Sequence, residues 1–281
     1  MTARRSTTRP RVSALVSTYG AQRFMRGLLE DLERQTIADQ LEIVVVDSAS
    51  PEGEGAVVAE FQRRHDNIVY ERSPRRENSH VTFNRCIELA RGEYITMANT
   101  DDRHRPDALE RLAAALDADP GAALAYADVA ITDRENALLE RVEPIGYYRW
   151  PDFDREMLFS VCYIGPQPLW RRAIHRRLGP LDERYRSAGD YELWLRMART
   201  ERFVHVPEVL GLYYYSPDSN ENRDRELSRA ESERARAAHW DPAWGPRPGP
   251  RGQGFFVPPV LQDRRWREEL ARLRAVGLFN A

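Results

Sequence analysis

The sequence predicts an α/β protein organised on a mostly parallel, doubly wound sheet. Strand-length apolar runs alternate with helical apolar spacing from residue 12 to about 128. Within that stretch, residues 42–47 (Glu-Ile-Val-Val-Val-Asp) make a continuous β-branched run, the pattern of a strand covered on both faces. The third observation is the apolar run 94–98, which ends on Asn99, Thr100, Asp101 and Asp102. Two adjacent carboxylates therefore stand where a strand runs out, and open α/β sheets bind ligands at the carboxyl ends of their strands. Side-by-side acids repel unless a cation or strong donors share them, and hard oxygen ligands suit Mg²⁺ or Mn²⁺. A polar turn before a helix opened by Pro106 explains the same four residues equally well.

The elements follow in order. Residues 12–17 read as a buried first strand and 18–20 as its exit loop. A helix comes next, with Phe24, Met25, Leu28, Leu29 and Leu32 on one face. The run 42–47 is the second strand, closed by the turn formers Ser48, Ser50 and Pro51. Val57, Val58 and Phe61 mark a second helix, and 67–70 a third strand. Phe83, Cys86, Ile87 and Ala90 form the stripe of a third helix, which Gly92 is suited to end in a left-handed conformation. After Pro106, Leu109, Leu112, Ala113 and Leu116 face inward from a fourth helix, and 122–127 is the next strand.

Beyond residue 128 the alternation stops. Residues 129–131 and 138–142 flank a polar turn and read as a hairpin. Residues 144–170 are rich in aromatics and proline. A short helix is expected at 190–199, carrying Leu193, Trp194 and Met197, with further strands at 203–206 and 209–215. Residues 220–238 read as a charge-dense, solvated helix, 241–259 as a Pro/Gly-rich linker, and 261–276 as a last amphipathic helix.

The formal net charge is −2, so no global field recruits nucleic acid or anionic lipid. Cys86 and Cys162 lie on apolar stretches without metal-ligand spacing, as expected in a reducing compartment. The basic residues 1–11 lead into no apolar signal segment, and no run approaches transmembrane length. The expectation is a cytoplasmic protein, with peripheral membrane contact left open.

Four segments, in this order, carry a resemblance. They are Val12-Ser13-Ala14-Leu15-Val16-Ser17-Thr18-Tyr19; Ile43-Val44-Val45-Val46-Asp47-Ser48-Ala49-Ser50; Gly92-Glu93-Tyr94-Ile95 running to Asn99-Thr100-Asp101-Asp102; and Leu181-Asp182-Glu183-Arg184-Tyr185 with Ser187-Ala188-Gly189-Asp190-Tyr191-Glu192-Leu193-Trp194-Leu195-Arg196. Over residues 12 to roughly 219 the chain resembles the family 2 inverting glycosyltransferases, which have the A-type nucleotide-sugar-binding (GT-A) fold. The resemblance implies a nucleotide-sugar donor (a UDP-sugar first), Mn²⁺ or Mg²⁺, and an aspartate base acting on an acceptor hydroxyl. Carbohydrate, lipid-linked and small-molecule acceptors all fit it, and nucleic acid does not. It also implies a flexible N-terminus at 1–11, a nucleotide-sugar-binding half at 12–128, an acceptor-binding catalytic half at 129–219, and a helical, Pro/Gly-rich extension at 220–281.

Carried over residue by residue, Tyr19 corresponds to the position whose ring lies against the nucleobase, with Ser17 donating to it. An edge-packing aromatic is the alternative for Tyr19. Asp47 corresponds to the acid that accepts the imide N–H of uracil, an edge thymidine shares, though an Asx turn explains it too. Asn78 stands where a donor faces the nucleotide, and equally where a helix N-cap belongs. Asp101 takes the place of the main metal ligand with Asp102 beside it, while Asn99 and Thr100 stand toward the nucleotide. The usual Asp-X-Asp thus reads Asn99-Thr100-Asp101, one charge short, and Ser216 stands where many relatives have a His. Asp190 matches the general base, but also the acidic residue of a capping box over 187–190. The Glu that commonly precedes this base is Gly189 here. Gln167, Trp170 and Trp194 fall on the acceptor side, both Trp residues being as easily core aromatics. Two other classes stay open: a non-catalytic nucleotide-sugar-binding protein, and a nucleotidyltransferase, against which residues 17–21 lack a basic, Gly-rich triphosphate loop.

Overall fold

A computed structural model describes residues 9–216 and 223–250, together with positions 219 and 272. The aliphatic runs place β1 (Val12–Thr18), β2 (Leu41–Asp47), β3 (Ile68–Arg72) and β4 (Tyr94–Met97) side by side, all parallel, in the order β3-β2-β1-β4. Helices lie on both faces, so β1, β2 and β4 have no solvent side and no polar alternation. On one face α1 (Gln22–Glu33), α2 (Glu54–Gln62) and α4 (Ala108–Ala118) pack Leu28, Val58 and Leu112 into one core layer with Val12, Val16 and Ile43. On the other, α3 (Ser79–Leu89) contributes Phe83, Cys86 and Ile87 to a layer with Leu15, Val44 and Val46. Successive strands leave β1 in opposite directions, so the carboxyl ends of β1 and β4 form a topological switch point.

The second half extends the sheet. β5 (Arg103–His104) borders β9 (Arg202–Tyr214), which runs parallel to β6 (Ala122–Thr132). β7 (Gly146–Tyr148) pairs antiparallel with the far end of β6, and β8 (Leu169–Arg171) is wedged antiparallel between β4 and β6. Among the described residues, the α-helices of this half are α5 (Arg155–Leu158), α6 (Ile174–Leu178), α7 (Gly189–Ala198) and α8 (Arg225–His239).

Several local expectations change. The runs 122–127 and 129–131 are one strand, as are 203–206 and 209–215, whose interruption is a bulge. Pro207, which has no N–H for the ladder, sits in that bulge. Residues 138–142 form turns, and the strand that pairs back onto β6 is Gly146–Tyr148. Gly92 is not left-handed; a Cβ there would stand 2.7 Å from Ser13 N and Tyr94 O, so what that position requires is space. The helix expected to be solvated is docked, burying Ser228, Glu231, Ser232, Ala235 and Arg236. Its buried stripe is polar, which apolar periodicity cannot register. Residues 1–8, all of 251–259 and the helix expected at 261–276 lie outside the described residues, position 272 apart. Among the described residues no helix is long and apolar enough to cross a membrane.

Candidate active site

The acids sit at the switch point, just past β4. Asn99 Nδ2 donates to Asp102 Oδ2 at 3.1 Å, and the Tyr214 N–H donates to Oδ1 at 3.2 Å. Asp102 is thereby buried and ties the 99–102 loop to the end of β9. Burial, and then the charge of Asp101, raise its carboxyl well above the usual carboxylate range. Burial raises Asp101 as well, and that carboxylate stays half-buried beside Thr100. An acid pair held in low dielectric is relieved by a divalent cation. The donor set fits one: Asp101 supplies a hard oxygen, while Asp102, whose two oxygens already accept, orients the loop. No group of three His, Cys, Asp or Glu among the described residues could hold a metal, and a cation here would complete its shell with water or the oxygens of a bound anion.

The β1 exit loop carries Tyr19, the residue expected to meet the nucleobase. Tyr19 is 41% exposed, with the Arg76 guanidinium 4.1 Å from its ring centroid. Gly20 takes φ +65, a left-handed turn that favours glycine. The loop is held from below: Ala21 N–H and Ser50 Oγ–H donate to Glu54 Oε1, and Gly20 N–H donates to Ser50 Oγ. Ser17 exchanges a short hydroxyl contact with Thr82, which joins the end of β1 to the first turn of α3.

Five residues assigned from the sequence take a different place. Asp47 has 0% exposure; it accepts from Tyr70 Oη–H and Arg72 Nη1–H, both at 2.7 Å, and from Ser50 N–H. It anchors Tyr70, Arg72 and the 48–50 turn, and has no edge open to a base. Asn78 is the N-cap of α3: Oδ1 accepts the His80 N–H, and Nδ2 donates to the carbonyls of Glu183 and Tyr185. Trp170 and Trp194 are 0% and 1% exposed and pack edge to face with centroids 5.1 Å apart, leaving neither face for a sugar. Gln167 is buried too, and donates to the Arg103 carbonyl.

Asp190 lies in the first turn of α7. The capping-box arrangement is not formed, since Ala188 is the N-cap and no side chain of this turn caps it. The amides of Arg186, Ser187 and Ala188 donate instead to the carboxylate of Glu231, reaching in from α8. The Asp190 carboxylate accepts from its neighbour Tyr191 N–H at 2.7 Å. Burial raises its pKa, and the adjacent His80 opposes the rise. Glu231, Arg76 and His80 escaped the sequence reading; none lies in a spaced motif, and each arrives from an element distant in the chain.

The class follows from the family comparisons, and the chain is an enzyme, a glycosyltransferase. The family model described as Glycosyl transferase family 2 matches residues 13–177, more than half of the chain, and the chain belongs to that family. It is 23% identical over 227 residues to an uncharacterized glycosyltransferase of Methanocaldococcus jannaschii, covering 80% of this chain and 76% of that one. It is 24% identical over 200 residues to a chondroitin synthase of Escherichia coli, covering 71% of this chain and 28% of that protein. Among solved structures, TarS of S. aureus (1–349) in complex with UDP aligns with a TM-score of 0.63 at 17% identity, over 82% of this chain and 65% of that 1–349 chain. A mannosyltransferase from Pyrobaculum calidifontis in complex with GDP-Man and Mn²⁺ aligns with a TM-score of 0.59 at 19% identity, over 98% of this chain and 82% of the other. At such identities the structural likeness establishes the GT-A fold.

Proposed function

We propose that this glycosyltransferase moves a sugar from a UDP-linked donor to an acceptor hydroxyl with inversion at the anomeric carbon. The observation that carries the reading is that Asp190 is not the N-cap of α7 and accepts a single first-turn amide, that of Tyr191. Glu231 satisfies the amides that precede α7, and Asp190 gives Oδ1 to the Tyr191 N–H, which leaves Oδ2 for another partner. Its place in a first helical turn favours the ionised form a base needs. Asp190 would accept the acceptor's proton as the hydroxyl oxygen attacks the sugar, from the face opposite the departing diphosphate. Tyr19 and Arg76 would receive the base, with Ser17, Asn99 and Thr100 toward the nucleotide; Asp47 and Asn78 hold these loops in place.

Asp101 would ligate Mn²⁺ or Mg²⁺ together with diphosphate oxygens, and Asp102 would orient it. When bound, such a cation neutralises charge on the leaving diphosphate. UDP stands first because TarS, with this fold, is in complex with UDP; the GDP-Man complex of the mannosyltransferase makes GDP the competing donor. A melting screen with UDP, dTDP and GDP, each with and without Mn²⁺, tests the donor. UDP with Mn²⁺ should give the largest shift, and UDP-sugars should release UDP in the presence of an acceptor. An equal shift with GDP would remove the uridine assignment, and a shift without turnover across a broad acceptor panel would favour a binding protein.

A further inference from the structure

The stretch Gly165-Pro166-Gln167-Pro168 has little conformational freedom. Gly165 takes φ +80, a left-handed turn, and a proline on either side of Gln167 fixes the backbone there. The chain then enters β8, wedged between β4 and β6. Gln167 is therefore carried on a rigid stem, and its side chain is buried. Nε2 donates to the Arg103 carbonyl at 3.0 Å. The other end of the amide lies against Gly211 of β9. A Cβ built on Gly211 would overlap Gln167 Oε1 and stand 2.7 Å from Cδ and 2.8 Å from Arg103 O. Real Cβ atoms do not approach that closely, so the amide and β5 occupy a space that only glycine leaves open.

Arg103 is the first residue after the acid pair, and it is held from both halves of the fold. From the first half, Asp31 of α1 accepts from Arg103 Nε at 2.5 Å and Nη2 at 2.9 Å, and from the His104 N–H at 3.2 Å. From the second half, Gln167 holds the Arg103 backbone, while the Tyr214 N–H holds Asp102. We infer that Gln167 is a positioning residue for Asp101, and that Gly211 is the gap that admits it. This role rests on Asp101 being the cation ligand of the proposed function. A ligand oxygen serves a small cation only within a few tenths of an ångström of the ideal distance, so the backbone two residues beyond Asp101 matters to it. The loop that precedes β8 thus sets where the acid loop presents its oxygen. With its amide engaged on β5, Gln167 acts on the acid loop and not on an acceptor.

Two variants separate positioning from mere packing. Gln167→Met keeps the length and burial of the side chain but cannot donate to the Arg103 carbonyl. Gly211→Ala leaves Gln167 in the chain and drives its amide and β5 away from β9. Calorimetric titration with UDP, and with GDP in parallel, is run with and without Mn²⁺ on the parent and both variants, and fluorimetry checks folding. Metal-free nucleotide affinity should stay near the parent's. The tightening by Mn²⁺ should fall about tenfold, the usual scale when a metal ligand loses its support. Full Mn²⁺ tightening in either folded variant, or an equal loss with and without Mn²⁺, would overturn the role of Gln167; if one variant does not fold, the other decides. The underlying metal reading is tested separately, in the parent and in Asp101→Ala. No Mn²⁺ effect in the parent, or one that survives Asp101→Ala, removes that reading and the role of Gln167 with it. An effect lost in Asp101→Ala but intact in Gln167→Met leaves the metal reading standing and rejects the inference alone.

Discussion

Removing the carboxylate of Glu231 should damage both stability and turnover, although Glu231 touches no substrate in the proposed reaction. Its Oε2 accepts the N–H groups of Ser187 at 2.8 Å, Arg186 at 3.0 Å and Ala188 at 3.1 Å, from a side chain that is 4% exposed. These are charge-assisted bonds to amides at a helix entry, where an anion also meets the positive end of α7. Glu231→Ala orphans three donors at roughly 1–3 kcal/mol each; taking the lower figure, because water enters the gap, the loss is about 3 kcal/mol. For a protein of this size that is a fall of roughly 6–12 °C in melting temperature. Glu231→Gln keeps one acceptor oxygen and should lose about half as much. The assay pairs differential scanning fluorimetry with UDP titration and initial rates. The Ala variant should melt early, bind UDP normally and turn over slowly, because the chain leading to Asp190 is loosened while the base subsite is not. An unchanged melting temperature in Glu231→Ala would refute the docking of α8 and the capping argument built on it.

Three further outcomes are expected. Asp101→Ala should abolish the tightening of nucleotide binding by Mn²⁺ while leaving the metal-free affinity nearly intact; persistent Mn²⁺ enhancement in calorimetry would remove Asp101 from the ligand set. Trp170→Ala should cost about 3–5 kcal/mol in urea unfolding with little change in acceptor KM, whereas a large KM effect in a stable variant would restore a sugar-stacking role. His104 is buried with neither ring nitrogen hydrogen-bonded, and burial lowers its pKa to about 4. Its folded pKa lies below the unfolded value, so this contribution is complete above about pH 6.5 and lost as pH falls toward 4, amounting to about 2 kcal/mol by pH 5. The stability difference between His104→Leu and the parent should therefore shift by that amount between pH 7 and pH 5, and a pH-independent difference would contradict it.

The first half of the fold was legible because its strands are short, apolar on both faces and separated by helices with one apolar stripe. The acid pair was legible for the same reason: the run from Tyr94 to Ala98 fixes where the strand ends. What sequence could not supply was the far partner of each polar group. Asp47 reads as a free acid at a strand end until Tyr70 and Arg72 close over it. Trp170 and Trp194 read alike as stacking platforms or core until their burial is known. The helix carrying Glu231 reads as solvated because its buried stripe is polar, and only tertiary contact with residues 186–188 gives that stripe a purpose. The strand β8 is three residues long, too short for periodicity, yet its antiparallel insertion joins the two halves of the sheet.

Turnover of Asp190→Asn, measured with the anomeric configuration of the product, bears most directly on the mechanism. Asn keeps the shape of the side chain but cannot take a proton at neutral pH. Nucleotide affinity and melting temperature should stay near those of the parent, since a base acts on the acceptor and Asn keeps the Oδ1 that accepts the Tyr191 N–H. Transfer should fall by about 10²–10⁴-fold, and the parent's product should have the inverted configuration. Near-normal turnover in the folded variant, or a product of retained configuration, would contradict the assignment of Asp190 as the base of a single displacement.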